Sequence, residues 1–294
     1  GPLSNEAVEG IYKEIISACL SLERPLRIAF LGPETTFSHQ AARKHFGTCP
    51  EFAPCETIED VFGAVERGNV DYGVVPLENS IEGSVNPSLD RFMETSAKIC
   101  AEVTVDVHHQ FLRPLNAAKD CVRIYSHPQV LGQCRRWILR NHPGAELVPT
   151  NSTAQAGQEV LSDRKGGALC SDLTAELLGL KIAARNCEDR SGNRTRFVVI
   201  GNQETKPSGR DKTSLVLWVR DEPGILSKIL APFAKAGVSL TEIISRPAGK
   251  RAWEYAFFVG IEGHVADKKV AAALKAIAPL CHQVKVLGAY PRAS

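Results

Sequence analysis

The sequence predicts an α/β chain in two parts: a two-lobed region of alternating strands and helices, then a small ferredoxin-like domain. Three observations carry this expectation. From Leu26 to Ile200, short apolar runs that end in Gly, Pro, Ser or Thr turns alternate with helical stripes, a pattern of parallel sheets with helices on both faces. A strictly alternating stretch, 99–107, joins two such runs, so two lobes with a cleft between them are expected. Beyond a polar segment at 201–212 the order becomes strand, helix, strand, strand, helix, strand, the βαββαβ arrangement.

Bulk properties narrow the function classes. A chain of 294 residues holds two domains with cores of normal size. A net charge of +2 gives no footprint for nucleic acid or an anionic membrane. No apolar run approaches the roughly 20 residues of a membrane helix. The nine cysteines are odd in number and form no C-x-x-C pair. They read as reduced thiols of a cytoplasmic protein, not as a disulfide frame or a zinc site.

The elements follow in order. Gly1-Pro2-Leu3 reads as a protease scar left from expression. Val8, Ile11, Tyr12, Ile15 and Cys19 form the stripe of a helix over 8–23, which needs a surface to dock on and ends at Arg24-Pro25. Leu26–Leu31 is a strand stopped by Gly32-Pro33, and a helix from Ser38 to Phe46 closes at Gly47. Thr57-Ile58-Glu59-Asp60 resembles a capping box that opens a helix ending at Gly68. Tyr72–Val75 is the next buried strand. The pattern restarts after 107 with strand 122–125 and helix 129–140. Leu147-Val148 then leads to a helix opening at Ser152, and Ala168–Cys170 to one opening at Ser171. In the last part, strands are expected at 213–219, 238–246, 253–261 and 283–290. Helices are expected at 224–235 and 266–277, with Gly249-Lys250 as a hairpin turn. The expected division is 1–25 for the scar and first helix, 26–205 for the two-lobed domain, 206–211 for a linker and 212–290 for the last domain. Lobe 1 takes 26–105 and 187–205, and lobe 2 takes 106–186.

No G-x-G-x-x-G or Walker loop occurs. His108 and His109 are read as neighbours on a strand, pointing to opposite faces with structural or solvent roles. What recurs is a strand end, a turn rich in Ser, Thr, Asn and Gly, and a helix start. It appears at Gly32–Ser38, Pro76–Ser80, Ser126–Gln129, Asn151–Thr153 and Cys170-Ser171. In an open α/β sheet such turns line one rim, and helix N-termini there favour anions. Any single one also reads as an ordinary N-cap. The loop Asp189–Arg196, running into an apolar strand, adds arginines for a carboxylate and a threonine hydroxyl.

These segments carry a family resemblance. Gly32-Pro33 with Thr36-Phe37-Ser38 and Ala41-Ala42 resembles a signature of prephenate dehydratases. So do Pro76-Leu77-Glu78-Asn79-Ser80 with Gly83 and Val85, Ser126-His127-Pro128-Gln129 with Gln133-Cys134, and Asn193 with Thr195-Arg196-Phe197. The last domain resembles an ACT domain, through Pro223-Gly224-Ile225-Leu226 and Leu240-Thr241-Glu242-Ile243-Ile244-Ser245-Arg246-Pro247. Ile244 departs from the usual Glu. The first helix resembles the end of a chorismate mutase domain, Ile11–Ala18 with Leu22-Glu23, so a bifunctional parent is implied.

The resemblance implies a periplasmic-binding-protein-like catalytic fold and a cofactor-free, metal-free lyase that converts prephenate to phenylpyruvate, CO2 and water. It implies Thr195, Asn79, Ser152 and Arg196 as catalytic residues. Thr195 is the donor to the leaving hydroxyl, and Arg196 is a carboxylate partner. Thr36, Phe37, Ser38, Glu78, Ser80, Asn193 and Phe197 are implied as substrate-binding. Gly224, Ile225, Leu226, Leu240, Thr241, Ser245 and Arg246 are implied as the wall of a phenylalanine site in a homodimer or homotetramer. Two other readings remain: the same chemistry on arogenate, and a solute-binding protein built on the same two-lobed plan with an amino-acid sensor domain.

Overall fold

The structure is a computed structural model that describes residues 2–219, 222–247 and 255–292; the expected turn at Gly249-Lys250 lies outside them. Helix α1 (Asn5–Glu23) opens at Ser4, whose hydroxyl accepts the Ala7 N–H. Strand β1 (Arg27–Leu31) leads to α2 (Phe37–Phe46), capped by Thr36 and ended by Gly47 at φ 79°. Strand β2 (Glu51–Cys55) comes next. Helix α3 (Ile58–Glu66) opens with the expected capping box: Asp60 N–H donates to Thr57 Oγ1, and Thr57 N–H donates to Asp60 Oδ2. Then come β3 (Tyr72–Asn79), the short β4 (Gly83–Ser84), α4 (Asn86–Glu94) and β5 (Lys98–Asp106). Strands β6 (Gln110–Arg113) and β7 (Arg123–Ser126) precede α5 (Pro128–Gln133) and α6 (Arg135–Asn141). The helix expected over 129–140 is therefore two, broken at Cys134. The break has a cause: the Asp189 carboxylate accepts the Arg136 and Trp137 N–H groups and caps α6 as a new start. Strand β8 (Glu146–Pro149), α7 (Thr153–Leu161), β9 (Gly166–Cys170), α8 (Asp172–Leu178), β10 (Lys181–Ala184) and β11 (Arg194–Gly201) complete this part. Ser152 and Ser171 cap α7 and α8 as expected.

The remainder is β12 (Asp211–Val219), α9 (Ile225–Lys235), β13 (Leu240–Pro247), β14 (Tyr255–Glu262), α10 (Lys268–Ile277) and β15 (Gln283–Pro291). Its sheet order, β13-β14-β12-β15, with antiparallel neighbours, is the ferredoxin-like one. Helices α9 and α10 supply Ile229, Phe233, Val270 and Ile277 to a core closed by Leu215, Leu217 and Val259.

The other two sheets run β2-β1-β3-β11-β5, with β4 on β3, and β10-β6-β9-β7-β8. They are not wholly parallel. Strand β6 is antiparallel to both β9 and β10, because it carries the chain into the second sheet from the opposite direction. Strand β2 is absent from the sequence-based reading; it contains Pro54 and lies on the sheet edge, where a missing N–H is tolerated.

The chain divides into two compact units. One is Gly1–Val61, Val74–Val85 and Thr104–Phe197; the other is Phe62–Gly73, Asn86–Val103 and Val198–Ser294. In the first, α1 corrects an expectation. Its apolar stripe is not buried: Val8, Ile11, Tyr12 and Ile15 are exposed. The helix rests on its polar side instead. Ser17 is buried, Lys13 Nζ donates to the Lys44 carbonyl, and Glu14 accepts both the N–H and hydroxyl of Thr48. In the second unit, α4 and β5 are bound to the ferredoxin-like sheet. Lys285 Nζ donates to the carbonyls of Phe92, Met93 and Thr95 at the end of α4, at 2.9, 3.2 and 2.6 Å. Gly288 passes so close to Ile99 that an added Cβ would lie 2.1 Å from its carbonyl oxygen.

Candidate active site

Strand β3 runs out at Glu78-Asn79 beside the first residues of β11, and this junction collects the central sequence-predicted residues. The Asn79 side chain is oriented by its own turn: Oδ1 accepts the N–H groups of Ile81 (2.9 Å) and Glu82 (3.1 Å). That defines which end of the amide carries hydrogens. Nδ2 donates to Asn193 Oδ1 and to Thr195 Oγ1, both at 2.8 Å. Thr195 is therefore an acceptor toward Asn79, and its own proton is left for another partner. A hydroxyl that accepts one hydrogen bond is polarised into a better donor of the next. Asn193 and Thr195 are both buried. Ser80 holds the covering loop: it accepts the Arg194 N–H at 2.9 Å and donates to the Gly192 carbonyl at 3.3 Å.

The other predicted residues divide. Arg196 pairs with Glu78 at 2.9 Å. Side chains alternate along a strand, so this pair lies on the opposite face of the sheet from Thr195 and Asn79. The expected roles of Arg196 as a carboxylate partner beside Thr195, and of Glu78 in the same pocket, are not supported by that placement. Phe197 shares the Thr195 face but is a buried core side chain. Thr36 is a helix cap whose hydroxyl donates to the Leu31 carbonyl and accepts the His39 N–H. Ser38 is buried on α2, and Phe37 packs edge-on against the His109 ring, with centroids 5.9 Å apart. Ser152 accepts the Gln155 N–H as the α7 cap. None of these four hydrogen-bonds to Thr195.

A cavity of about 420 Å³ shares Asn193 with the cluster. Gln133, Arg135, Arg136, Glu188, Asp189 and Arg190 also line it. Both acids are engaged within the protein. Glu188 meets His108 Nδ1 at 2.7 Å and accepts the His109 N–H at 3.0 Å, while Asp189 caps α6. Burial alone would raise the Glu188 carboxyl, but these hydrogen bonds outweigh it and hold the group below the usual range. No carboxylate among the described residues pairs with Arg135, Arg136 or Arg190. The lining thus carries three arginines against two carboxylates, an excess of positive charge that favours an anion.

Sequence reasoning missed Gln133 as a site residue, although its motif was noted, and missed the cavity role of α5 and α6. His108 and His109 also need correction. They lie between β5 and β6, not on a strand, and their partners, Glu188 and Gln133, line the cavity.

In the ferredoxin-like domain the expected effector wall splits across strand β13. Its burial alternates, with Thr241 and Ser245 exposed and Leu240 and Arg246 on the other face. Arg246 is ion-paired with Asp90 of α4. Gly224 starts α9 at φ 77°, while Ile225 and Leu240 pack against the domain core. Leu226 is half-buried.

Comparison with known proteins adds the family context. The prephenate dehydratase profile matches residues 28–205, and the ACT domain profile matches residues 213–279. A bifunctional chorismate mutase/prephenate dehydratase of Aquifex aeolicus is 46% identical over 293 residues, covering 100% of this chain and 81% of that protein. Among solved structures, the prephenate dehydratase of Arthrobacter aurescens in complex with L-Phe is 32% identical. It has a TM-score of 0.81 and covers 91% of this chain and 90% of that one. GqqA, described as a quorum-quenching acylase, is 30% identical with a TM-score of 0.83, over 91% of this chain and 98% of that one.

Proposed function

The chain belongs to the prephenate dehydratase family and carries an ACT domain, and from that premise we propose that it is a carbon–oxygen lyase acting on prephenate, with phenylalanine as its feedback effector. The observation that carries the reading is the fixed Asn79 amide, which leaves the Thr195 proton available. Prephenate carries two carboxylates, which the field of Arg135, Arg136 and Arg190 suits. The electron pair of the breaking C–COO⁻ bond moves into the ring, CO2 departs, and the ring hydroxyl leaves as the Thr195 proton reaches it. Solvent then restores the proton. Aromatisation drives the step, so the protein's part is orientation and one proton transfer, worth roughly 10²–10⁴-fold in rate.

Acyl transfer, the activity attached to one structural neighbour, is less well supported. A threonine nucleophile needs an adjacent base, and Thr195 Oγ1 meets an amide N–H2. Domain limits of 26–205 and 212–290, a dimer or tetramer paired through ACT domains, and a cytoplasmic location belong to the same proposal. Among the described residues, no helix is long and apolar enough to cross a membrane.

The test is incubation with prephenate and, in parallel, arogenate, following phenylpyruvate by its absorbance in alkali and phenylalanine by chromatography. Faster turnover of prephenate is expected. Preference for arogenate would move the substrate assignment, and no turnover of either would overturn the reading.

A further inference from the structure

Gln133 lines the cavity, and its side chain is held by a buried histidine. His109 Nε2 lies 2.8 Å from Gln133 Oε1. The His109 residue is 2% exposed, and burial pushes its ring pKa down from the ordinary value, against smaller opposing effects from Gln133 and Glu188. The ring is therefore neutral and carries a single N–H.

Which nitrogen bears that hydrogen follows from the partners. Nδ1 is buried with no hydrogen-bond partner, whereas Nε2 faces Gln133. A proton on Nδ1 would bury an unpaired donor, which costs more than burying an unpaired ring lone pair. The Nε2–H form is thus selected. It donates to Gln133 Oε1, which turns both amide hydrogens of Gln133 away from His109. Gln133 Nε2 meets no protein acceptor among the described residues, and the residue lines the cavity.

The rest of the surroundings hold this pair rigid. The His109 N–H donates to Glu188 Oε2, and the His109 carbonyl accepts the Cys187 N–H at 2.7 Å. The Gln133 carbonyl accepts the Asp189 N–H at 2.8 Å, so both its backbone and its side chain are tied to the two chain segments that pass between the sheets. Phe37 sets the edge-on wall behind the imidazole, which gives that predicted residue a place in the site one step removed from substrate.

We propose that His109 is a positioning residue: a neutral Nε2–H imidazole that orients Gln133 so that its amide N–H2 donates into the cavity, to an oxygen of an anionic substrate. This rests on the prephenate dehydratase reading. An unheld glutamine samples both amide orientations, and one of them points a carbonyl oxygen at the anion. His109 removes that orientation.

Two measurements test it. The first is a double-mutant cycle on prephenate turnover with His109→Leu, Gln133→Ala and both together. His109→Leu is expected to lower kcat/KM roughly 10- to 100-fold, the range for a buried hydrogen bond lost from a working geometry. In the Gln133→Ala background the same change should cost less than about twofold, because nothing remains to be oriented. His109→Gln, whose amide nitrogen reaches near the Nε2 position, should recover most of the loss. Equal losses in the two backgrounds, or no recovery with Gln, would overturn the proposal as a general packing effect. The second measurement needs no substitution. Long-range ¹H–¹⁵N correlation on histidine-labelled protein reads the His109 tautomer, and it decides the matter if His109→Leu fails to fold. A protonated Nε2 is expected, and a protonated Nδ1 would overturn the proposal. Wild-type protein that binds but does not turn over prephenate would overturn the enzymatic reading instead, and the tautomer would still judge the geometry.

Discussion

Replacing Asn79 with Asp tests the site logic most directly, because it keeps shape and reverses hydrogen-bond direction. One carboxylate oxygen would still accept the Ile81 and Glu82 N–H groups. The other would face Asn193 Oδ1 and Thr195 Oγ1, where an N–H2 now donates at 2.8 Å to each. Asn193 can rotate its amide and donate. Thr195 can satisfy the new oxygen only by turning its proton inward, away from substrate. Stability should therefore change little, within about 1 kcal/mol, since every buried polar atom finds a partner. Turnover should fall steeply, by roughly 10²–10⁴-fold, the contribution of a general acid. Asn79→Ala is the informative comparator: it removes the orienting donor but leaves the Thr195 proton free, so its loss should be smaller. The assay is steady-state phenylpyruvate production at saturating prephenate, with circular dichroism melting on each variant. A folded Asn79→Asp enzyme that outperforms Asn79→Ala would refute the assignment of Thr195 as donor.

Three further outcomes are expected. His39 is buried and its pKa is lowered to about 4, first by burial and then by Arg43. The unfolded chain takes up that proton near pH 6.5 while the folded protein refuses it, so stability is lost as pH falls from 6.5 to 4, by about 3 kcal/mol in all; urea titrations across that range should show a shallower loss for His39→Gln, and equal slopes would remove His39 as the source. Gly288→Ala should lower Tm by several degrees, because the intruding methyl meets the Ile99 backbone and not a movable side chain, and an unchanged Tm would mean that β15 and β5 can part freely. Ile244→Glu should strengthen phenylalanine binding in calorimetric titration and deepen inhibition, and equal affinity in both forms would show that this position is silent.

Much of the framework was legible because its signals are local. Thr57, Ser152 and Ser171 each cap a helix by bonding within three residues, and such caps are written in short stretches of sequence. The ferredoxin-like order was legible for a similar reason: each strand and helix of 211–291 shows its own period. What escaped depends on partners distant in the chain. Asp189 breaks a helix that starts more than fifty residues earlier, and no periodicity at 129–140 announces it. Gln133 meets His109 across 24 residues. Strand β6 is four residues long, too short for its alternation to register. Helix α1 does dock, but through its polar side and not its apolar stripe, since a hydrophobic pattern states what could be buried and not what covers it.

The segment Asn193–Phe197 shows how one strand serves chemistry and architecture together. The odd positions 193, 195 and 197 face one side, giving Asn193 and Thr195 to the Asn79 cluster and Phe197 to the core. The even positions face the other side, where Arg194 pairs with Asp106 at 2.7 Å and Arg196 with Glu78 at 2.9 Å. Read as a string, the arginines suggested an anion receptor. In the sheet they are fasteners. Arg196 pairs with the residue immediately before Asn79, next to the contact between Thr195 and the Asn79 amide. The arginines that line the cavity are Arg135, Arg136 and Arg190 instead, on a short helix that starts where Asp189 caps it and on the loop that supplies that cap. The Thr195 hydroxyl and these arginines are thus held by separate sets of contacts, and a change in one set can be made without dismantling the other.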